Sequence, residues 1–528
     1  MQKLARGTKR MSKTERGRRV HKSKTHLPAA VNVVFYVIYL LLQVAFLVFW
    51  FLLSREYIAN FYLILEFLSL CVVLYIVRED GNSSYKIPWI ILNLALPIVG
   101  GLSYIMFARV RFSREERRLL KDVNFRYARA VFEKPDAMEQ LRQESPEMVR
   151  QAEYLRNRAG APVYQDTQVR YFSCGEKLFP ELIAQLEAAQ RFIFLEYFIV
   201  HPGYMWNKVE EILVRKVKQG VDVRVIYDDM GSVGLVPHDF VDMLEEKGIR
   251  ACNFNRLNNI FSSRFNNRDH RKICVIDGNV GFTGGINMAD EYINKVRRFG
   301  YWKDTAVMLQ GQAVRSLTCM FLTMWEFVKK EKNDYLKFAP TLKAEARGFV
   351  QPYMDSPLDN ERVGQAVYTN ILSGAHRYVY ITTPYLIIDD EMVGALTLAA
   401  KSGVDVRIVT PGVPDKKVAY TLTRSYYEVL LRAGVRIFEY TPGFIHAKEF
   451  VADDQVAVVG TVNLDYRSLC HHFECAVWMA DTPAVADIRE DVLDCINQSR
   501  EITLDMCRNK TILWRVWLAV LRLFAPLF

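Results

Sequence analysis

Four blocks of this sequence occur twice, in the same order and about 180 residues apart, so the fold has to be built twice. Ala189-Gln190-Arg191-Phe192-Ile193-Phe194 parallels Ala375-His376-Arg377-Tyr378-Val379-Tyr380. Gly220-Val221-Asp222-Val223-Arg224 returns unchanged as Gly403-Val404-Asp405-Val406-Arg407. Gly248-Ile249-Arg250 matches Gly434-Val435-Arg436, and His270 to Asn287 matches His446 to Asn463 at seven of eighteen positions. So long a period excludes a solenoid. Residues 166–505 alternate short apolar runs with amphipathic helical patterns, which predicts a duplicated α/β domain. The first copy carries an extra polar stretch, Leu257 to Asn267, rich in Asn, Ser and Arg. Its composition suits a lid or a substrate contact.

The fourth block carries the chemistry. In the first copy it reads His270-x-Lys272, four residues, Asp277, then Gly284-Gly285-x-Asn287. In the second it reads His446-x-Lys448, four residues, Asp453, then Gly460-Thr461-x-Asn463. Residues two apart on a strand share a face, so each His and its Lys point the same way. A single pair would be weak evidence, because most lone histidines are structural. Two copies with one spacing point to a site. The set suits phosphodiester chemistry: two Lys and two Asn amides can hold the charge that spreads over the phosphoryl oxygens. One His can attack phosphorus. The other can protonate the leaving alkoxide and then deprotonate the next acceptor. The carboxylates lie one per copy beside Lys, without a clustered acidic pair, so neither a metal nor another cofactor is expected.

Charge is concentrated at the N-terminus. Residues 1–28 hold ten Lys/Arg and one Glu, whereas the whole chain has a net charge of +10. The remainder is almost neutral, which argues against a nucleic-acid binder. Nine Cys without C-x-x-C spacing fit a reducing compartment. Ala30 to Leu53 is uncharged for 24 residues, and about 20 apolar residues span a bilayer. Tyr57–Val77, interrupted by Asn60 and Glu66, and Ile87–Phe107, with Pro88, Pro97, Gly100 and Gly101, are further candidate spans. The basic tail and the Arg-rich run 108–129 both favour the cytoplasmic side, which three full crossings do not allow. The third segment is therefore expected to insert only partly. The basic tail suits anionic headgroups. Thr511 to Phe528, apolar but for Arg515 and Arg522, suits an interfacial helix or packing into the protein.

The two His-x-Lys-x4-Asp motifs resemble those of the phospholipase D superfamily. Together with the membrane segments, the Arg-rich run and Asn463-Leu464-Asp465-Tyr466-Arg467-Ser468, they are similar to bacterial cardiolipin synthases. The resemblance implies phospholipase D-like α/β/α domains with pseudo-twofold symmetry and one active site between them, preceded by transmembrane helices. The expected organisation is a basic tail at 1–29, a membrane region at 30–107 and a basic linker at 108–165. Catalytic domains follow at 166–340 and 341–507, then an interfacial segment at 508–528. The resemblance also implies an acid from the opposite half for each His. By position these are Glu474 for His270 and Asp304 for His446. Asp277 and Asp453 belong to the catalytic motifs, though they suit motif architecture as well as chemistry. Tyr227-Asp228 and Pro384-Tyr385 follow matching strands and suit either the pocket wall or the core.

The implied reaction joins two phosphatidylglycerol molecules into cardiolipin and glycerol through a phosphohistidine, on the cytoplasmic side of a bacterial cell membrane, with anionic lipids as partners and no nucleic acid. His270 as the nucleophile comes from the resemblance; the near-symmetric motifs leave the order open. A hydrolytic phospholipase D or nuclease is the alternative enzyme. A non-catalytic membrane scaffold is the alternative outside enzymes, disfavoured by His, Lys, Asp and Asn being intact in both copies.

Overall fold

The computed structural model describes residues 55–79, 82–107, 114–133, 136–256, 266–359, 361–508 and 511–527. The chain forms two compact units, Met1–Tyr62 with Asn258–Ile260, and Leu63–Leu257 with Phe261–Phe528. The second contains both repeats.

The first repeat contributes β1 (Thr167–Phe172), β2 (Phe192–Tyr197), β3 (Asp222–Asp228), β4 (Arg250–Phe254), β5 (Lys272–Ile276), β6 (Val280–Gly284), β7 (Tyr301–Lys303) and β8 (Ala306–Gly311). The second contributes β9 (Phe349–Asp355), β10 (Tyr378–Thr382), β11 (Leu386–Ile387), β12 (Asp405–Pro411), β13 (Arg436–Tyr440), β14 (Gly443–Ile445), β15 (Glu449–Ala452), β16 (Val456–Gly460), β17 (Leu464–Asp465), β18 (Glu474–Ala480) and β19 (Ser499–Ile502). The seven-stranded sheet runs β1-β8-β6-β5-β2-β3-β4, and the eight-stranded sheet runs β9-β18-β16-β15-β10-β12-β13-β19. Strand for strand the order is the same, with β19 added at one edge. In each sheet a parallel trio meets an antiparallel group beside the strand that follows the motif histidine: β2 pairs parallel with β3 and antiparallel with β5, and β10 does likewise with β12 and β15.

Every residue of β2, β5, β6, β16 and β18 is buried. Such continuous burial is expected of strands covered on both faces. One core joins the two sheets, with Ile273, Val275, Val307 and Leu309 in the same cluster as Val451, Val459, Val477 and Met479. The helix Val314–Lys329 lies in this shared core, with twelve buried residues. The outer helices of each repeat pack on the remote faces. The layers are therefore helix, sheet, shared core, sheet, helix.

Of the three apolar segments, Ala30–Leu53 lies outside the described residues. The other two revise the expectation of transmembrane helices, because among the described residues no helix is long and apolar enough to cross a membrane. Tyr57–Val77 falls within the helix Arg55–Arg78, on which Glu66 is exposed. Ile87–Phe107 divides into Ser83–Ala95 and Pro97–Phe107, of 13 and 11 residues. Pro97 has no N–H and its ring crowds the preceding turn, so the helix ends before it. A Cβ on Gly100 would lie 2.3 Å from Asn93 Cα, so glycine permits the close fold-back. Asn93 Nδ2 donates to Ser69 O at 2.9 Å and to Ser69 Oγ at 2.8 Å, which ties the preceding helix to this pair. Tyr85 donates its hydroxyl to Tyr466 O at 3.0 Å, and Asn82 bonds Asp389, so Ser83–Ala95 is docked on the second repeat.

The C-terminal helix Ile512–Leu523 starts at the Thr511 cap, whose hydroxyl accepts from Trp514 N. Leu513 and Ile512 are about four-fifths exposed, and Val516, Trp517 and Val520 are exposed beside them. Arg522 turns back over the Tyr426 ring at 4.4 Å. The side carrying Ile512, Leu513, Val516 and Trp517 is thus outward, while Leu521 packs against the core of the second repeat. The stretch 257–265 of the extra loop lies outside the described residues.

Candidate active site

Each motif histidine, expected on a strand, lies just before β5 or β15, and the tertiary structure hydrogen-bonds that point to the opposite repeat. His270 N donates to Phe473 O at 2.9 Å, and Phe473 N donates to Arg268 O at 2.8 Å. In the other half His446 N donates to Lys303 O at 2.6 Å, and β14 pairs in parallel with β7. The residue after Phe473 is Glu474, and the residue after Lys303 is Asp304. Each bridge therefore delivers an acid to the facing histidine. His270 Nδ1 lies 2.9 Å from both oxygens of Glu474, and His446 Nδ1 lies 2.6 Å from Asp304 Oδ2. Both acids are fully buried and both histidines nearly so. With Nδ1–H given to the acid, each ring keeps its Nε2 lone pair.

Lys272 and Lys448 share the histidine faces, and each donates its ammonium to the backbone oxygen of its own histidine. Burial lowers Lys272 to about 8, opposed by the charges of Glu474 and Asp304. Burial lowers Lys448 to about 7, opposed by Asp304, with Lys272 lowering it further. These cross-repeat influences mean that both motifs serve one site. Burial also lowers His270 well below the usual imidazole value, against the pull of Glu474, and takes His446 down to about 4, with Lys448 adding to the fall. Burial alone would raise Glu474, but His270 and His472 hold it well below the usual carboxylate range. At neutral pH the site thus holds two neutral imidazoles beside an ionised Glu474.

A pH dependence follows from these directions. Anion binding needs charged lysines, and a lysine loses its proton as pH rises. We expect kcat/KM, which reports the free enzyme, to fall through about pH 7–8. The alkaline limb of kcat should lie higher, because bound phosphodiester favours the charged ammonium. Initial rates from pH 5 to 10 check this; equal alkaline limbs in the two profiles would contradict it.

Asp277 and Asp453 are not brought to the histidines, which corrects their inclusion among the catalytic residues. Asp277 lies five residues beyond Lys272, or about 16 Å along an extended strand. Its carboxylate accepts from Gln190 N, Arg191 N and Phe192 N at 2.8, 2.6 and 2.9 Å. Asp453 accepts from His376 N, Arg377 N and Tyr378 N at 2.6, 2.9 and 2.8 Å. Both residues have φ of 55°. An Asp in this left-handed turn caps the start of the neighbouring strand, which explains the strict spacing without chemistry. Asn287 is also engaged: its Oδ1 accepts from Ile199 N at 3.0 Å and its Nδ2 donates to Tyr292 Oη at 2.7 Å. Asn463 Nδ2 donates to Asp465 at 3.0 Å, and its buried Oδ1 has no hydrogen-bond partner. Asp228 holds the approach to His270, accepting from Asp269 N at 3.0 Å, while Tyr227 packs in the core. Tyr385 donates to Asp415 at 2.5 Å and packs toward Phe444.

The sequence reading missed three site residues. Phe198 lies edge-on to His270 with centroids 5.0 Å apart. Thr461 donates its hydroxyl to Glu474. His472 sits with its ring 5.4 Å from that of His270. Thr461 lies inside the second motif and His472 two residues before Glu474, but spacing alone gives no reason to separate them from their neighbours. His270, His472 and Glu474 also bring possible ligand atoms within 4.8 Å of one another. A cation there would compete with His270 for Glu474 and stand near the Lys272 ammonium, so the donor set fits a metal poorly.

A family model described as the cardiolipin synthase, phospholipase D-like domain matches residues 182–325 and 368–495, each of which contains one site histidine and the acid that serves the other. The chain belongs to the cardiolipin synthase family. A cardiolipin synthase of Geobacillus kaustophilus is 35% identical over 86% of this chain and 91% of its own length. An uncharacterised protein of Streptococcus mutans serotype c is 47% identical over 86% of this chain and 99% of its own. As a member of the cardiolipin synthase family the chain is an enzyme of the phosphatidyltransferase class. The solved structure of phosphatidylserine synthase from Haemophilus influenzae Rd KW20 shares the fold, with a TM-score of 0.51 at 13% identity over 68% of this chain and 93% of that one.

Proposed function

We propose that the enzyme transfers a phosphatidyl group between two phosphatidylglycerol molecules, giving cardiolipin and glycerol. The observation that supports this reading is the cross-repeat pairing, in which Glu474 serves His270 and Asp304 serves His446 around two buried lysines. His270 Nε2 attacks phosphorus, a P–N bond forms, and the P–O bond to the glycerol headgroup breaks. The anionic phosphodiester bound beside His446 favours its charged form, so His446 takes a proton from solvent as substrate binds and gives it to the departing alkoxide. Neutral again, His446 takes the proton of a terminal hydroxyl on a second phosphatidylglycerol. That oxygen attacks phosphorus and expels His270. Lys272 and Lys448 hold the phosphoryl oxygens, whose charge grows in both transition states.

Purified enzyme in mixed micelles with phosphatidylglycerol and a chelator tests the reading. Cardiolipin and glycerol in equal amounts are expected. Phosphatidic acid as the main product would favour the hydrolytic alternative, and activity that returns only with stoichiometric divalent ion would refute the metal-free route.

The same reading requires a membrane surface. The outward face of Ile512–Leu523 and the basic residues near it suit the interface of an anionic bilayer. For a chain trimmed to residues 63–528, Leu513→Glu with Trp517→Glu should lower partition onto anionic vesicles by about 100-fold, from about 1.5 kcal/mol of lost apolar burial per residue. Co-sedimentation measures it, and an unchanged partition would remove this helix from the membrane contact.

A further inference from the structure

The two repeats place a ring beside each site histidine, and the rings differ. Trp302, two residues before Asp304, has its ring 5.5 Å from that of His446. His472, two residues before Glu474, has its ring 5.4 Å from that of His270. His472 is 9% exposed, and neither of its ring nitrogens has a hydrogen-bond partner. Buried polar atoms are nearly always bonded, so such a ring in a reaction site is free for a ligand. Its Nδ1 stands 3.5 Å from Glu474 Oε1. Glu474 is already bonded to His270 and to the Thr461 hydroxyl, so it attracts the His472 proton to Nδ1 without closing a short bond. Nε2 is then an acceptor. The indole at the equivalent position can only donate.

We propose that His472 is a specificity-determining contact: its Nε2 accepts a hydrogen bond from the headgroup of the phospholipid that reacts at His270. The headgroup must carry a donor, either a hydroxyl or a primary ammonium. The inference rests on the phosphatidyl-transfer reading and adds which headgroups the His270 side takes. It also assigns opposite hydrogen-bond character to the two sides of a site that is otherwise nearly symmetric, so that the two lipids of one reaction are recognised differently.

Headgroup release by the purified full-length enzyme tests it, with phosphatidylglycerol, phosphatidylethanolamine or phosphatidylcholine as the donor lipid. The first offers hydroxyls, the second an ammonium, the third no donor hydrogen. The wild type should prefer the first two over phosphatidylcholine by about 100-fold, since a site built around a hydrogen bond rejects an analogue that lacks it. His472→Phe should lower kcat/KM for phosphatidylglycerol by about 10- to 100-fold more than for phosphatidylcholine, mainly through KM. His472→Asn keeps an acceptor and should restore the preference. An unchanged preference in His472→Phe, or an equal fall with all three lipids that Asn does not rescue, overturns the assignment and leaves the transfer reading standing. A wild type that releases no glycerol from phosphatidylglycerol overturns the transfer reading itself.

Discussion

His446→Asn incubated with labelled phosphatidylglycerol should accumulate a phosphatidyl adduct on the peptide that contains His270 and Lys272. In this variant the attack at phosphorus still proceeds, because His270 keeps Glu474 on its Nδ1 and a free Nε2. The step is slow, since the alkoxide leaves without a proton, and loss of a general acid costs about 10²–10⁴-fold. The second step lacks its base as well, so the adduct outlives the first step. His270→Ala should form no adduct. Acid-quenched samples, digested and analysed by mass, read both results. A wild-type adduct on the His446 peptide, with none near His270, would reverse the two roles and leave the two-histidine route in place.

Gly285→Ala should reduce kcat by about 10²–10⁴-fold although the substitution adds one methyl group. A Cβ at position 285 would stand 1.9 Å from Asp304 Oδ1 and 2.8 Å from its Cγ. Asp304 has no room to yield: it is fully buried, bonded to His446 at 2.6 Å and to Thr305 N at 2.9 Å. The acid must move, and His446 then loses the partner that sets its tautomer. In a Ser-His-Asp triad the equivalent loss costs about 10⁴-fold. Asp304→Ala should fall to a similar rate, and the double variant should be little worse, because neighbours acting through one contact are not additive. Thr461→Ala in the other half removes a hydroxyl that donates to Glu474 and accepts from Cys475 N at 3.0 Å, and should cost about tenfold. Thermal unfolding of each variant separates lost catalysis from lost fold. More than half the wild-type rate in folded Gly285→Ala would show that Asp304 does not orient His446.

These two positions also show how far the sequence could be read. Gly285 and Thr461 occupy equivalent places, as do Asp304 and Glu474. A short acid faces the residue without a side chain, and a long acid faces the one whose hydroxyl it accepts. Each acid lies about 30 residues from the histidine of its own repeat but touches the histidine of the other. Spacing within one repeat carries no information about which surface it meets, so the pairing entered the reading only through resemblance. Asp277 and Asp453 misled for a related reason. Their spacing is as strict as that of a catalytic group because three backbone N–H groups demand a carboxylate there. His472 went unread since nothing in a linear pattern distinguishes a buried ring without partners from one packed in the core.

The sequence by itself determined the duplication, the α/β class and the placing of each His-x-Lys pair at a strand, because side-chain period and apolar patterning are local properties. It also marked Ile87–Phe107 as interrupted by proline and glycine, but packing chose the place: Pro88 stays inside a helix, and the break falls at Pro97. The tertiary structure decided the rest. It brought Phe473 to His270 and Lys303 to His446, closing two half-sites into one. It buried both lysines deeply enough that burial lowers them against the nearby acids. It turned Ile512, Leu513, Val516 and Trp517 outward and packed Leu521 inward. These outcomes depend on which surfaces meet and how much water they exclude, and both are properties of the packed sheets rather than of any one segment.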